Sequence, residues 1–226
     1  MKAFKYGITL ERLKEEDIEL VRQWRNSDAV RLNMEYKKHI SAEEQIKWFN
    51  SINNISNNYM LIHYKGEKVG VLNDKNIDWE NRTSESGIFI GNEKYLHSFL
   101  PYFVSVAGIE INFTLFKWRK QYAHILTSNS NARKFNTELG YQLSGDQSGV
   151  ENQQYELTWE SFQNKAGRVR KAVAALAEES HPARILIEPD DYKNPFANKI
   201  KSLLENQPDV RSYENSEGIW FEEVRG

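Results

Sequence analysis

The chain of 226 residues contains no cysteine. Disulfide bonds, cysteine-ligated zinc and a thiol nucleophile are therefore excluded, and the absence fits a reducing cytoplasm. Neither sign of charge is in excess: 30 Lys+Arg stand against 32 Asp+Glu, a net charge of −2. Residues 165–226 hold 10 and 11 of these, which leaves 20 and 21 for residues 1–164. Neither part is a charged tail, and no basic surplus points to nucleic acid. No apolar run reaches the roughly 18 residues of a membrane span. The first residues, MKAFKYGITLERLKEED, lack the apolar stretch of a signal peptide. A soluble cytoplasmic protein is the expectation. The five histidines, His39, His63, His97, His124 and His181, follow no metal-ligand spacing, so no metal is expected.

The most informative scarcity is local. A strand over Glu85–Gly91, a loop and an apolar helix over Pro101–Phe116 have the layout in which many folds hold a phosphate at a helix N-terminus. The loop, Asn92 to Pro101, contains no glycine. Backbone N–H groups approach an anion most readily where no Cβ intervenes. The sequence therefore predicts the layout of an anion site and a poor surface for the anion.

Hydrophobic periodicity supplies the other elements. Ile8 to Leu13 reads as a strand, and Glu15 to Arg25 as a helix with three acids in its first turn. Ser41 and Glu44 form a capping box for a helix that carries Ile46, Trp48, Phe49 and Ile52. Tyr59–Tyr64 and Lys68–Asn73 read as strands joined by a hairpin at Lys65-Gly66-Glu67. A strand over Gln121–Leu126, a helix over Ser130–Leu139 closed by Gly140, and a strand over Gln154–Trp159 complete the unit. Composition then changes: residues 1–164 hold six alanines and residues 166–183 hold six more. Arg168 to Glu179 reads as an alanine-rich helix or connector. It is followed by a strand (Arg184–Ile187), a helix capped by Asn194, and a hairpin of Val210–Tyr213 with Ile219–Val224. The expected organisation is an α+β domain over 1–164 and a small α+β appendage over 165–226.

The order of these elements resembles the GNAT superfamily of N-acetyltransferases over roughly residues 6–160. Asn129 to Tyr141, NSNARKFNTELGY, is similar to the closing motif of that family, an asparagine followed by Leu-Gly-aromatic. Trp24-Arg25-Asn26, Val30-Arg31, Ile40-Ser41, Glu43, Glu44 and Trp48 resemble a subgroup that acetylates nucleotide-linked amino sugars or protein N-termini. The resemblance implies a mixed sheet whose central strands splay, with acetyl-CoA as cofactor between them. It implies that Phe89, Ile90 and Gly91 pair with the pantetheine arm and that Asn129 contacts the same arm. It also implies Glu85 as general base and an amine acceptor, a small molecule or amino-sugar nucleotide. Trp24, Arg25, Asn26 and Arg31 are the candidates to line the acceptor pocket.

The glycine-bearing pyrophosphate pattern of the family, aligned back from Phe113, falls on Leu96, Phe99 and Pro101. Pro101 has no N–H to offer. His97 and Ser98 are the loop side chains that suit an anion, although Ser98 also suits a helix cap. The family's tyrosine acid falls on Asn136, and a histidine of the amino-sugar subgroup on Gln45. Two functions stay open on the residues. One is an acetyltransferase. The other is a GNAT-fold binding or assembly module that has lost CoA, its cleft plugged by Phe99. A donor carried on a protein is a third option, since it needs less of the pyrophosphate cradle. The appendage is a candidate surface for a homodimer or a protein partner.

Overall fold

The computed structural model describes residues 1–177 and 181–224. Glu178 and Glu179, the expected end of the alanine-rich helix, lie outside the described residues. The first half runs β1 (Lys2–Lys5), β2 (Ile8–Arg12), α1 (Ile18–Asn26), α2 (Asp28–Arg31), α3 (Ala42–Ile52), β3 (Asn58–Tyr64), β4 (Glu67–Asp78) and β5 (Thr83–Ile90). There follow α4 (Leu100–Glu110), β6 (Lys120–Leu126), α5 (Ser130–Glu138), β7 (Gln142–Leu143) and β8 (Asn152–Leu157). The chain closes with α6 (Trp159–Lys165), α7 (Gly167–Leu176), β9 (Arg184–Ile187), α8 (Pro195–Glu205), β10 (Val210–Asn215) and β11 (Gly218–Glu223).

All eleven strands form one sheet, in the order β10-β11-β9-β1-β2-β3-β4-β5-β6-β8-β7. Every neighbouring pair is antiparallel except β5 with β6. The C-terminal segment enters this sheet through β9, which pairs with β1 from Lys2↔Leu186 to Phe4↔Arg184.

Side-chain alternation explains how the sheet is covered. On β3, Met60 and Ile62 belong to the large core shared with α4, whereas Leu61 belongs to a second cluster with Val71, Val21 and Phe49 under α1 and α3. The α4 helix is apolar all round, as a helix buried between layers must be. Its one charge, Glu110, is held by Lys5 at 3.2 Å, Arg170 at 2.9 Å and the Tyr6 hydroxyl at 2.9 Å. This carboxylate ties β1 and α7 to α4.

Local signals account for most turns and caps. Ser41 Oγ accepts the Glu44 N–H, and Glu44 returns the bond to the Ser41 N–H at 2.7 Å. Lys65 and Gly66 both have positive φ, at 50° and 79°, the geometry of a two-residue hairpin turn. The strand expected to reach Trp159 stops at Leu157, because Thr158 and Ser161 cap α6, which Trp159 opens. Beyond Glu110 the long helix continues as a π-helical turn, Ile111–Leu115. No helix among the described residues is long and apolar enough to cross a membrane.

Candidate active site

The parallel pair β5 and β6 is joined by three residue pairs only: Thr83↔Lys120, Ser84↔Gln121 and Glu85↔Tyr122. Past Glu85 the strands part. β5 continues to Ile90 bonded to β4, and β6 continues to Leu126 bonded to β8. The facing edges of residues 86–90 and 123–126 therefore carry no ladder to one another. A cleft of about 1020 Å³ runs through this splay, walled by β4, β5, β6, α1, α3, α4 and α5.

A buried polar staple holds the point of the splay. Asp74 on β4 accepts bonds from Ser84 of β5 at 3.0 Å, Gln121 of β6 at 3.0 Å and Asn112 at 2.9 Å. Burial holds the Asp74 carboxyl above its ordinary value despite these donors. Burial and the neighbouring Asp74 also push up the Tyr141 hydroxyl, which reaches the cleft wall.

Glu85 stands directly above the staple. It meets Lys75 Nζ at 2.7 Å, His124 Nδ1 at 3.0 Å and Asn76 Nδ2 at 3.0 Å. Burial raises its pKa, but Lys75 and His124 together outweigh burial and hold the carboxyl below its usual value. Glu85 is thus ionised at neutral pH and accepts the Nδ1–H of His124. The other ring nitrogen of His124 is then the free one. The register explains the meeting. Glu85 is level with Tyr122, and His124, two residues on, shares the face of Tyr122. In the sequence His124 is one of five scattered histidines. The parallel register is its only signal, and it joins residues 39 apart in sequence (124 − 85).

The other predicted site residues divide. Glu85, Phe89, Ile90, Asn129 and Arg25 line the cleft. Gly91 turns its N–H to Val69 O at 2.9 Å, on the β4 side. Trp24 packs on Gly91, where an added Cβ would come within 2.2 Å of Trp24 Cγ. Asn26 clamps Ile40 by donating to its O at 2.9 Å and accepting from its N–H at 2.8 Å. Arg31 holds Asp28 at 2.6 Å and Lys37 O at 2.9 Å. These three residues of the acceptor motif shape the wall behind the cleft and do not line it. His97 and Ser98 also lie off the cleft. Ser98 Oγ donates to Tyr95 O at 2.7 Å and accepts the Leu100 N–H at 3.2 Å.

The start of α4 is largely engaged, with the His97 and Phe99 N–H groups left over among the described residues. The N–H groups of Ser98, Tyr102 and Phe103 bond to Tyr95 O, Phe99 O and Phe99 O, that of Leu100 bonds to Ser98 Oγ, and Pro101 has none. Phe99 is 72 % exposed and absent from the cleft lining, which corrects the expectation that it plugs the cleft. Lys94 is paired with Glu67 at 2.8 Å. Asn136, in place of the expected tyrosine, lines the cleft and donates to Ala132 O at 2.8 Å. Its amide has no titratable proton. Among the described residues, no three His, Asp or Glu side chains gather as metal ligands.

Comparison with known proteins agrees with this geometry. The model of the acetyltransferase (GNAT) domain matches residues 8–142. No curated protein matches the chain in sequence. Among solved structures, spermidine N-acetyltransferase from Vibrio cholerae in complex with CoA and spermine is 17% identical, with a TM-score of 0.59. The match covers 71% of this chain and 100% of that one. A chimera of Vibrio cholerae SpeG and hSSAT is 18% identical at a TM-score of 0.60, over 70% of this chain and 99% of the other. Campylobacter jejuni N-acetyltransferase PseH is 18% identical at a TM-score of 0.52, over 68% and 99%. At these identities the likeness carries the fold. With the domain model spanning more than half of the chain and the central strands parting after three pairs, this chain belongs to the GNAT acetyltransferase family.

Proposed function

We propose that the protein is an N-acetyltransferase that moves an acetyl group from acetyl-CoA to the amine of a small molecule, with amino-sugar nucleotides among the candidate acceptors. The Glu85–His124 pair carries this reading: a carboxylate and an imidazole 3.0 Å apart face the open splay. The donor's pantetheine arm fits the unpaired edge of β5, where residues 86–90 have no ladder to β6. Bound there, acetyl-CoA supplies a thioester whose C–S bond is exchanged for a C–N bond as one proton leaves the attacking amine. The backbone of Phe89 and Ile90 orients the arm, and Asn129 borders it from the start of α5. Glu85, ionised, fixes the His124 ring with Nδ1 as donor, so that Nε2 accepts the proton of the amine. The amides of Ser98, Leu100, Tyr102 and Phe103 do not suit the diphosphate, because they are already bonded, and Pro101 has none to give. Side chains at the loop surface, His97 first among them, hold it instead.

Calorimetry with CoA and thiol release over a panel of amines test this. Saturable CoA binding and release that depends on an added amine are expected. The largely engaged start of α4 favours a second reading, a GNAT-fold module without CoA that holds another protein or a second copy. No heat with CoA on the order of millimolar, together with a stoichiometric co-purifying partner, selects that reading. Acetyl transfer to any amine removes it.

A further inference from the structure

Three hydrogen-bond donors of the cleft lining have no acceptor among the described residues: the Arg25 guanidinium, Gln45 Nε2 and, beside Gly87, Asn73 Nδ2. Arg25, in the last turn of α1, lines the cleft and is partly buried, yet makes no hydrogen bond or ion pair among the described residues. Its neighbours Arg22 and Arg31, on α1 and α2, each hold a carboxylate. Gln45, on α3, is 3% exposed and lines the same cleft, and its Nε2 is buried without a partner. Buried donors are nearly always satisfied, and an unmatched set facing a cavity marks where a ligand supplies the acceptors.

The acids of the cleft do not fill this role. Glu85 is taken by Lys75 and His124. Glu44 accepts the Ser41 N–H in the capping box. Glu35 is exposed at the rim. The inner cleft therefore holds one compensated pair, Lys75 with Glu85, and one uncompensated guanidinium.

We propose that Arg25 and Gln45 form an anion subsite in the acceptor pocket, so that the amine substrate also bears a carboxylate or a phosphate. This rests on the acetyltransferase reading above and narrows its acceptor. Tyr59 lines the same cleft and feels the charge of both Glu85 and Arg25. Its hydroxyl is raised by burial and by Glu85, and lowered by Arg25. Tyr59 on β3 pairs with Asn73, which pairs with Gly87 on β5, two residues from Glu85 on the same face. Two strand spacings, about 10 Å in all, separate the Tyr59 strand from the Glu85 strand. The anion and the amine of the acceptor are accordingly several bonds apart. A polyamine, which carries cations alone, would meet an unpaired guanidinium and be repelled by it.

The test uses the full chain, acetyl-CoA and matched acceptors: glucosamine 6-phosphate against glucosamine, 6-aminohexanoate against hexylamine, and spermidine. The anionic member of at least one pair is expected to be preferred by about tenfold or more in kcat/KM, carried by KM, as a charge-assisted hydrogen bond gives. The pair that shows the preference distinguishes phosphate from carboxylate. Arg25→Gln brings the ratio to about one, and Arg25→Lys restores part of it. Equal rates within both pairs, or spermidine preferred over both anions, overturns the proposal. If no amine is acetylated, the acetyltransferase reading fails by itself. Calorimetry of glucosamine 6-phosphate and 6-aminohexanoate then decides the subsite: binding that Arg25→Gln abolishes supports it, and no binding to the native chain overturns it.

Discussion

Glu85 and Glu110 are both carboxylates set among cations, and their surroundings give them opposite tasks. Glu110 is saturated by Lys5, Arg170 and Tyr6, with 6% of its side chain exposed and Lys5 at 3%. Its partners come from two distant stretches of chain, Lys5-Tyr6 and Arg170, so the bonds fasten the end of β1 and α7 to α4. Glu85 has 13% of its side chain exposed and opens on the cleft, with a histidine among its partners. A carboxylate held by fixed cations and a phenol, with no group turned to a cavity, can only anchor. One that leaves an imidazole nitrogen free toward a cavity can pass a proton.

The largest expected effect breaks the anchor. Glu110→Ala leaves Lys5 buried without its counter-charge and costs about 3–5 kcal/mol of stability by urea unfolding. A loss below about 1 kcal/mol would remove the distinction between the two acids. Glu85→Gln should act on rate. A loss of roughly 10²–10³ in kcat/KM is expected, about 2.7–4 kcal/mol of transition-state stabilisation, with a much smaller change in unfolding midpoint than Glu110→Ala. If Glu85 works through His124, Glu85→Gln with His124→Gln is no slower than the worse single variant. Additive losses would show that the two act apart.

Much of the fold could be read locally. The Ser41 capping box, the Lys65-Gly66 turn, Gly140 after α5, the Asn194 cap and the β10–β11 hairpin depend on residues only a few positions apart. The splay was legible only through resemblance, since nothing within β5 or β6 tells either strand where to stop pairing. β1 is not legible in the sequence, because four residues that begin and end in lysine carry too short a pattern. It is held on one edge by β2, through a hairpin at Tyr6-Gly7, and on the other by β9, about 180 residues away. Of the Trp24-Arg25-Asn26 run, only Arg25 reaches the cleft. Trp24 is held by Gly91 and Asn26 by Ile40, contacts that no spacing in the sequence displays.

Asn26 sharpens the comparison from the side of the cleft wall. Asn26→Ala removes both bonds to Ile40, a loss of about 2 kcal/mol at roughly 1 kcal/mol each. KM for the amine is expected to rise more than kcat falls, because the 27–40 segment borders the acceptor side of the cleft. Equal changes in both would place the segment outside acceptor binding.

The smallest effect is one of pH. The Glu85 carboxyl lies below its ordinary 4.5 in the folded chain, through Lys75 and His124 acting against burial. Its contribution to stability is complete above about 4.5 and is lost as pH falls through the lowered folded value. The stability gap between the native chain and Glu85→Gln should therefore be constant near neutrality and close on acidification below 4.5. A gap that widened with acid would contradict the depressed value.

The short seam between β5 and β6 makes the sheet two plates, eight strands from β10 to β5 and three from β6 to β7, joined over three rungs. Asp74 bolts that joint by gripping a residue from each plate. Aperture and chemistry are thereby assigned to different residues, and the width offered to a substrate can drift through Ser84, Asn112 or Gln121 while Glu85 and His124 stay as they are.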